Sequence, residues 1–178
     1  MHDPAAPRTP RRNLERKVRH ADLEAARAAL QAMGARHEGV QHQTDTYFHA
    51  RAGRLKLRQI EGQEAVLIWY DRPEDAEVRT SRYYLVPVPD PALLLTALAG
   101  ALGLRGEVRK RRDVWHWHNV RVHLDEVEGL GTFVEFEAVL APGEAEAVSQ
   151  ERLKELSARL ALRPEDTLRA SYAELLGM

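Results

Sequence analysis

The chain has 178 residues, with 26 Lys plus Arg against 27 Asp plus Glu and a formal net charge of -1. That length suits one domain with one sizeable core, and the charge balance argues against non-specific binding to nucleic acid or an anionic membrane, which wants a net basic surface. The lack of cysteine excludes disulfides, thiolate metal sites and cysteine catalysis.

Residues 1–12 are rich in Pro and Arg and lack the apolar stretch of a secretory signal, so a disordered tail on a cytoplasmic protein is expected, followed by a single domain over 13–178. Asn13 to Arg19 alternates in side-chain type and reads as a strand. Asp22 is a good N-cap, Leu23, Ala26, Leu30 and Met33 share a helical face, and Gly34 is a stop. Strands are predicted at Arg36–His49, Arg54–Ile60, Glu64–Tyr70 and Val78–Val88, with a break at Arg72–Asp75. Asp90 and Pro91 open a helix that runs to Leu102 and stops at Gly103. The apolar run Pro91–Leu104 is too short to span a bilayer. Three further strands follow at Gly106–His118, Val120–Val127 and Thr132–Leu140, then helices at Glu144–Leu162 and, after Pro164, at Thr167–Leu176. Short turns predict antiparallel pairing of neighbours, and eight strands can close into a barrel. The predicted fold is α+β, an eight-stranded antiparallel barrel with helices packed on its outside.

Side chains alternate between the two faces of a strand. Sorting by parity gathers Asn13, Glu15, Lys17 and Arg19; Arg54, Lys56 and Arg58; Arg79, Ser81 and Tyr83; Lys110 and Arg112; Arg121, His123 and Asp125; and Glu135 and Glu137. These faces hold nine basic residues and four carboxylates, while the opposite faces are aliphatic. A wet sheet face is the ordinary explanation of such charge. Two features favour another. The basic strands and the acidic strands are segregated along the chain. And of 26 basic residues only four are lysine, three of which lie on these faces, in keeping with sites that want a compact ammonium. If the charged faces point inward, nine cations repel one another unless a polyanion sits among them. The carboxylates suit hard cations such as Mg²⁺ or Mn²⁺, which bridge carboxylates to phosphates. The pattern reads as a metal-dependent site for an oligophosphate.

Asn13-Leu14-Glu15-Arg16-Lys17 resembles the Glu-x-Glu-x-Lys strand that opens CYTH domains, the triphosphate tunnel metalloenzymes. Gln43 to Phe48, Arg54 to Arg58, Arg79-x-Ser81-x-Tyr83, Lys110-x-Arg112 and the stretch Val122 to Glu137 follow in the family's order, the last most similar to the class IV adenylyl cyclase branch. The resemblance covers Asn13 to about Leu176 and implies a tunnel through the barrel. It implies that Lys17, Lys56, Arg58, Arg79, Lys110, Arg112 and Arg121 grip the phosphates, with Lys17, Lys110 and Arg112 catalytic. Glu15, Asp125, Glu135 and Glu137 would hold Mg²⁺ or Mn²⁺, and Asn13, Ser81 and Tyr83 would contact substrate. Asn13 departs from the pattern, since a carboxylate is expected there and one negative charge is lost at the cation site.

The implied activity is adenylyl cyclase, converting ATP to cyclic AMP and pyrophosphate. The alternatives are an inorganic, nucleoside or thiamine triphosphatase, or a non-catalytic polyphosphate sensor. The expected partner is a small triphosphate, ATP or tripolyphosphate, with no nucleic acid and no membrane; a homodimer is compatible. Trp115-His116-Trp117-His118 invites a zinc reading, because His116 and His118 share a face, but a strand end with aromatics near a turn is the commoner meaning.

Overall fold

A computed structural model describes residues 11–71, 79–140 and 145–178. Eight strands run in chain order: β1 (Arg11–Arg19), β2 (Arg36–Phe48), β3 (Arg54–Ile60), β4 (Ala65–Asp71), β5 (Arg79–Val88), β6 (Leu104–Trp117), β7 (Val120–Val127) and β8 (Gly131–Leu140). The helices are α1 (Leu23–Ala32), α2 (Pro91–Leu102), α3 (Glu146–Arg159) and α4 (Tyr172–Leu175). The strands close into an antiparallel barrel in the order β1-β5-β4-β3-β2-β6-β7-β8. Arg11 and Arg12, assigned to the expected tail, begin β1; residues 1–10 and the break at 72–75 lie outside the described residues.

Hairpins join β2 through β5 and β6 through β8, as short turns predict. Pairing of every neighbour does not hold. β1 lies between β5 and β8, because α1 carries the chain away from it, and α2 likewise separates β5 from β6. Both helices begin as their sequences require. Asp22 accepts a hydrogen bond from the Ala25 amide at 2.8 Å, and Asp90 accepts one from the Leu93 amide at 2.9 Å.

The aliphatic faces point outward and are covered. Leu14, Val18, Val122, Leu124, Val134 and Phe136 pack against Leu23, Ala26 and Leu30 of α1 and Leu153 and Leu156 of α3. Leu94, Leu95 and Leu98 of α2 cover Phe48 and Leu57. Burying those stripes turns the charged faces inward, because alternation gives them no other side.

The predicted helix Thr167–Leu176 shrinks to α4. Thr167 bridges Val18, and the Leu168 amide donates to the Lys17 carbonyl at 2.8 Å, so this backbone is spent on β1 rather than on a helix. Ser171 and Glu174 then form a capping box that starts α4 late. No helix among the described residues is long and apolar enough to cross a membrane.

Candidate active site

Inward positions of all eight strands line a cavity of about 360 Å³. It brings together Asn13, Glu15, Lys17, Lys56, Arg58, Ser81, Tyr83, Lys110, Arg112, Arg121, Glu135 and Glu137. Arg79 lies on β5 beside Glu15, with its side chain outside the described set. Arg19 and Arg54, which share strand parity with this group, are not part of the lining. Arg19 sits over the Phe133 ring and donates to the Leu130 carbonyl, and Arg54 pairs with Glu174.

Two Lys-x-Arg strands organise the charge. On β3, Arg58 donates from Nε and Nη2 to the two oxygens of Asp45 at 2.8 and 2.9 Å, and Lys56 Nζ reaches the same carboxylate at 2.7 Å. On β6, Arg112 donates to both Asp125 oxygens at 2.7 and 2.6 Å and to Glu135 at 2.6 Å, with Lys110 Nζ 3.5 Å from Asp125. Lys17 Nζ stands 3.5 Å from Glu135, and Arg121 pairs with Glu137 at 2.8 Å. The described interior therefore sets six cations against five carboxylates, Glu15, Asp45, Asp125, Glu135 and Glu137, with Glu38 a sixth at the mouth, so the surplus of positive charge read from strand parity is smaller than expected.

Asp45 is the residue that parity could have found. Gln41, Gln43, Asp45 and Tyr47 alternate inward on β2, but among uncharged neighbours a single acid carries little signal. Tyr172 had no such signal. It enters from α4 and donates its hydroxyl to Asp125 at 2.9 Å, with its ring 3.8 Å from Lys17 Nζ.

Burial and charge compete at each group. Burial opposes ionisation of Asp45, yet Arg58 and Lys56 hold its carboxyl well below the usual range. Burial likewise opposes Glu135, and Lys17 and Arg112 prevail. Glu137 is lowered to about 2 against its own burial, by His123 and Arg121. Lys110 moves the other way. Burial and then the neighbouring Arg112 pull it from 10.5 to about 7.

His123, Glu135 and Glu137 each place a ligand atom within 4.8 Å of the others, a group that could hold a metal ion. Glu15 stands opposite Glu137 in the β1–β8 register. Among the described residues the His123 Nδ1 atom, 3.8 Å from Glu135, is buried with no hydrogen-bond partner, as are Asn13 Oδ1 and both polar atoms of the Gln43 amide in the same lining. Buried orphan atoms facing one cavity mark places for ligand or solvent contacts. Asp125 stands apart from the cluster, fully buried behind Arg112. The Trp-His run divides by parity. Trp115 is buried under α1, His116 turns to the tunnel mouth and pairs with Glu38, and His118 sits in a turn against Trp117.

A closed antiparallel barrel whose interior is lined by ion-paired lysines, arginines and carboxylates defines a tunnel protein built for a polyanion. The CYTH domain family model matches residues 11–172, and the chain belongs to the CYTH family, whose members act on triphosphates with the help of metal ions. A protein of Methanocaldococcus jannaschii, provisionally named an adenylate cyclase, is 25% identical over 175 residues, covering 93% of this chain and 98% of that one. The solved structure of a Pyrococcus horikoshii protein superposes with a TM-score of 0.80 at 24% identity, covering 92% of this chain and 98% of that one. A Hippeastrum protein provisionally named an adenylyl cyclase, and described as having a dominant triphosphatase activity, superposes with a TM-score of 0.63 at 18% identity, covering 92% of this chain and 93% of that one.

Proposed function

We propose that this protein is a metal-dependent enzyme acting on a triphosphate held in the tunnel, and that it is an adenylyl cyclase. The observation that carries the triphosphate is the ladder of cations around one cavity that also holds a carboxylate cluster, with Lys17, Lys56, Lys110 and Arg112 buried and Arg58 and Arg121 partly exposed. Arg79 extends the ladder by its position on β5. The cyclase is favoured by the mouth, where Ile60, Leu85 and Val114 lie beside Gln41, Gln63 and His116, a mixture of apolar and hydrogen-bonding groups suited to a nucleoside.

Glu15, Glu135 and Glu137 are assigned to Mg²⁺ or Mn²⁺, with His123 as a further donor; oxygen-rich sites of this kind suit both ions. Asp125, assigned with them by resemblance, faces Arg112 and orients it. When bound, such a cation supplies charge stabilisation and lowers the pKa of a coordinated hydroxyl. The chain's own groups do the rest. Lys17, Lys110 and Arg112 bind the phosphate oxygens and stabilise charge on departing pyrophosphate. In the cyclase the ribose 3′-hydroxyl is the group that attacks the α-phosphorus in line, with pyrophosphate leaving. Asn13, Ser81 and Tyr83, which line the same cavity, are assigned to substrate oxygens.

The second reading is a triphosphatase, in which water attacks a terminal phosphorus. The Hippeastrum relative's described activity favours it, as does Asn13 in place of an expected carboxylate. Phosphorus NMR with Mn²⁺ and, separately, ATP and tripolyphosphate decides. Cyclic AMP with pyrophosphate establishes the cyclase, and orthophosphate release establishes the triphosphatase. Tight binding of both without turnover would overturn both in favour of a sensor.

A further inference from the structure

A neutral amide stands among the charges of the cavity. Gln43 lines it and is 3% exposed, and among the described residues neither its Nε2 nor its Oε1 has a hydrogen-bond partner. The cations on either side are engaged elsewhere, Lys56 and Arg58 with Asp45 and Lys110 with Asp125. Each unmet end of a buried amide costs stability, and a ligand that meets both recovers it.

Gln43 lies where two parts of the cavity meet. Along β2 its inward neighbours are Gln41, at the mouth, and Asp45, which holds Lys56 and Arg58. Across the sheet it is opposite Ile60 of the mouth on β3 and opposite Lys110 of the cation ladder on β6. A ligand with its phosphates on the ladder and its organic group at the mouth passes this amide at the joint between them. The chemistry of the joint narrows the ligand. An ionised phosphate chain brings acceptors only, so it meets Nε2 and leaves Oε1 unmet. A metal ion meets Oε1 and leaves Nε2 unmet. A hydroxyl both donates and accepts, so one hydroxyl satisfies both ends of the amide.

We propose that Gln43 is a substrate-binding residue that holds the 2′-hydroxyl of a ribonucleoside triphosphate, and that it makes the site select ribonucleotides over 2′-deoxyribonucleotides. The proposal rests on the reading of the cavity as a triphosphate site whose mouth takes a nucleoside. Oε1 accepts from the 2′-hydroxyl and Nε2 donates to it. The 3′-hydroxyl is the attacking group in the cyclase and gives up its proton, which leaves the neighbouring 2′-hydroxyl for a pairing that lasts through the reaction. A deoxyribose puts a C–H there, and both ends of the amide stay unmet. A site built to bond a hydroxyl rejects the analogue that lacks it more strongly than an apolar pocket rejects a lost methylene.

The test is calorimetric titration of the full chain, in Mn²⁺, with three triphosphates whose bridging oxygens are both replaced by methylene, so that none turns over: the adenosine compound, its 2′-deoxy form and the bare chain. The unaltered protein is expected to bind the adenosine compound about tenfold or more tightly than its 2′-deoxy form. Gln43→Leu, checked by circular dichroism, is expected to erase that preference and to leave affinity for the bare chain within about threefold. Equal binding of the two adenosine compounds by the unaltered protein would overturn the proposal. So would a preference that persists in Gln43→Leu, or a loss on the bare chain as large as that on the adenosine compound, which would make the amide a phosphate ligand. Binding of the bare chain without either adenosine compound would overturn the proposal and leave the triphosphate reading standing. Failure of all three to bind would overturn that reading as well. If the leucine variant does not fold, Gln43→Met, of similar length, reads the same contrast.

Discussion

The two Lys-x-Arg strands flank β2 and share a motif, but they are wired differently. The β3 pair, Lys56 and Arg58, is closed on a single acid, Asp45, whose two oxygens take all the bonds the pair offers it. The β6 pair, Lys110 and Arg112, is open. Arg112 divides itself between Asp125 and Glu135, and through Glu135 it touches the cluster of His123 and Glu137. A cation closed on one partner is a fixed charge. A cation shared between acids that could also hold a metal is one whose partners change when ligand arrives. The same three-residue pattern thus gives a scaffold on one side of β2 and a responsive site on the other.

The largest effect expected is on stability. Arg112→Met leaves Asp125 and Glu135 buried without their arginine, and urea unfolding should show a loss of about 3–5 kcal/mol. Arg58→Met leaves Asp45 with Lys56 still at 2.7 Å, and a loss of about half that size follows. Equal losses would break the distinction between the two strands. On turnover, Glu135→Gln is expected to cost at least about 100-fold with the fold intact. Asp45→Asn should cost markedly less, because it disturbs phosphate contacts without touching the acid cluster. Unchanged turnover in Glu135→Gln and in Lys17→Ala would sink the site assignment.

The pH dependence separates the strands further. Lys110 has a folded pKa of about 7 against 10.5 when free. The unfolded chain therefore binds that proton more tightly, and the Lys110 contribution to stability rises as pH goes from about 7 towards 10.5. Thermal unfolding of metal-free protein across that range should show the rise, and Lys110→Met should flatten it. The acids act in the same sense over a lower range. Glu137, at about 2 in the folded state against 4.5 when free, stabilises above pH 4.5, and that stabilisation is lost as pH falls towards 2. The smallest effect expected is that of Asn13→Glu, which adds one carboxylate beside Glu15 and should tighten metal binding by about tenfold or less, read by Mn²⁺ titration.

Much of this was legible in the strands themselves. Alternation places Lys17, Lys56, Arg58, Lys110, Arg112, Arg121, Glu135 and Glu137 on one side with no knowledge of the fold, because a pleated backbone permits only two faces. The capping residues Asp22 and Asp90 located their helices by the same kind of local rule. What escaped depends on distance along the chain. The seat of β1 between β5 and β8 is set by which edges remain when the hairpins have formed. Tyr172 enters the site only because residues 167 and 168 bond to β1. Arg19 and Arg54 have the right parity and lie past the end of the charged stretch, where alternation alone is blind to depth.

The place of β1 has a consequence for how the molecule is made. Its partners along one edge run from Arg12 with Leu140 to Arg19 with Phe133, so the first strand of the chain is the staple that completes the ring. Hairpins β2 through β5 and β6 through β8 can form from near neighbours, but ring closure joins β1 to β8, strands far apart in the sequence. Contacts of such long sequence separation slow folding, because the entropy of closing the loop is spent before the contacts reward it. On a ribosome, the β1–β8 seam waits until β8 has emerged, and until then the phosphate-binding Lys17 has no Glu135 to face.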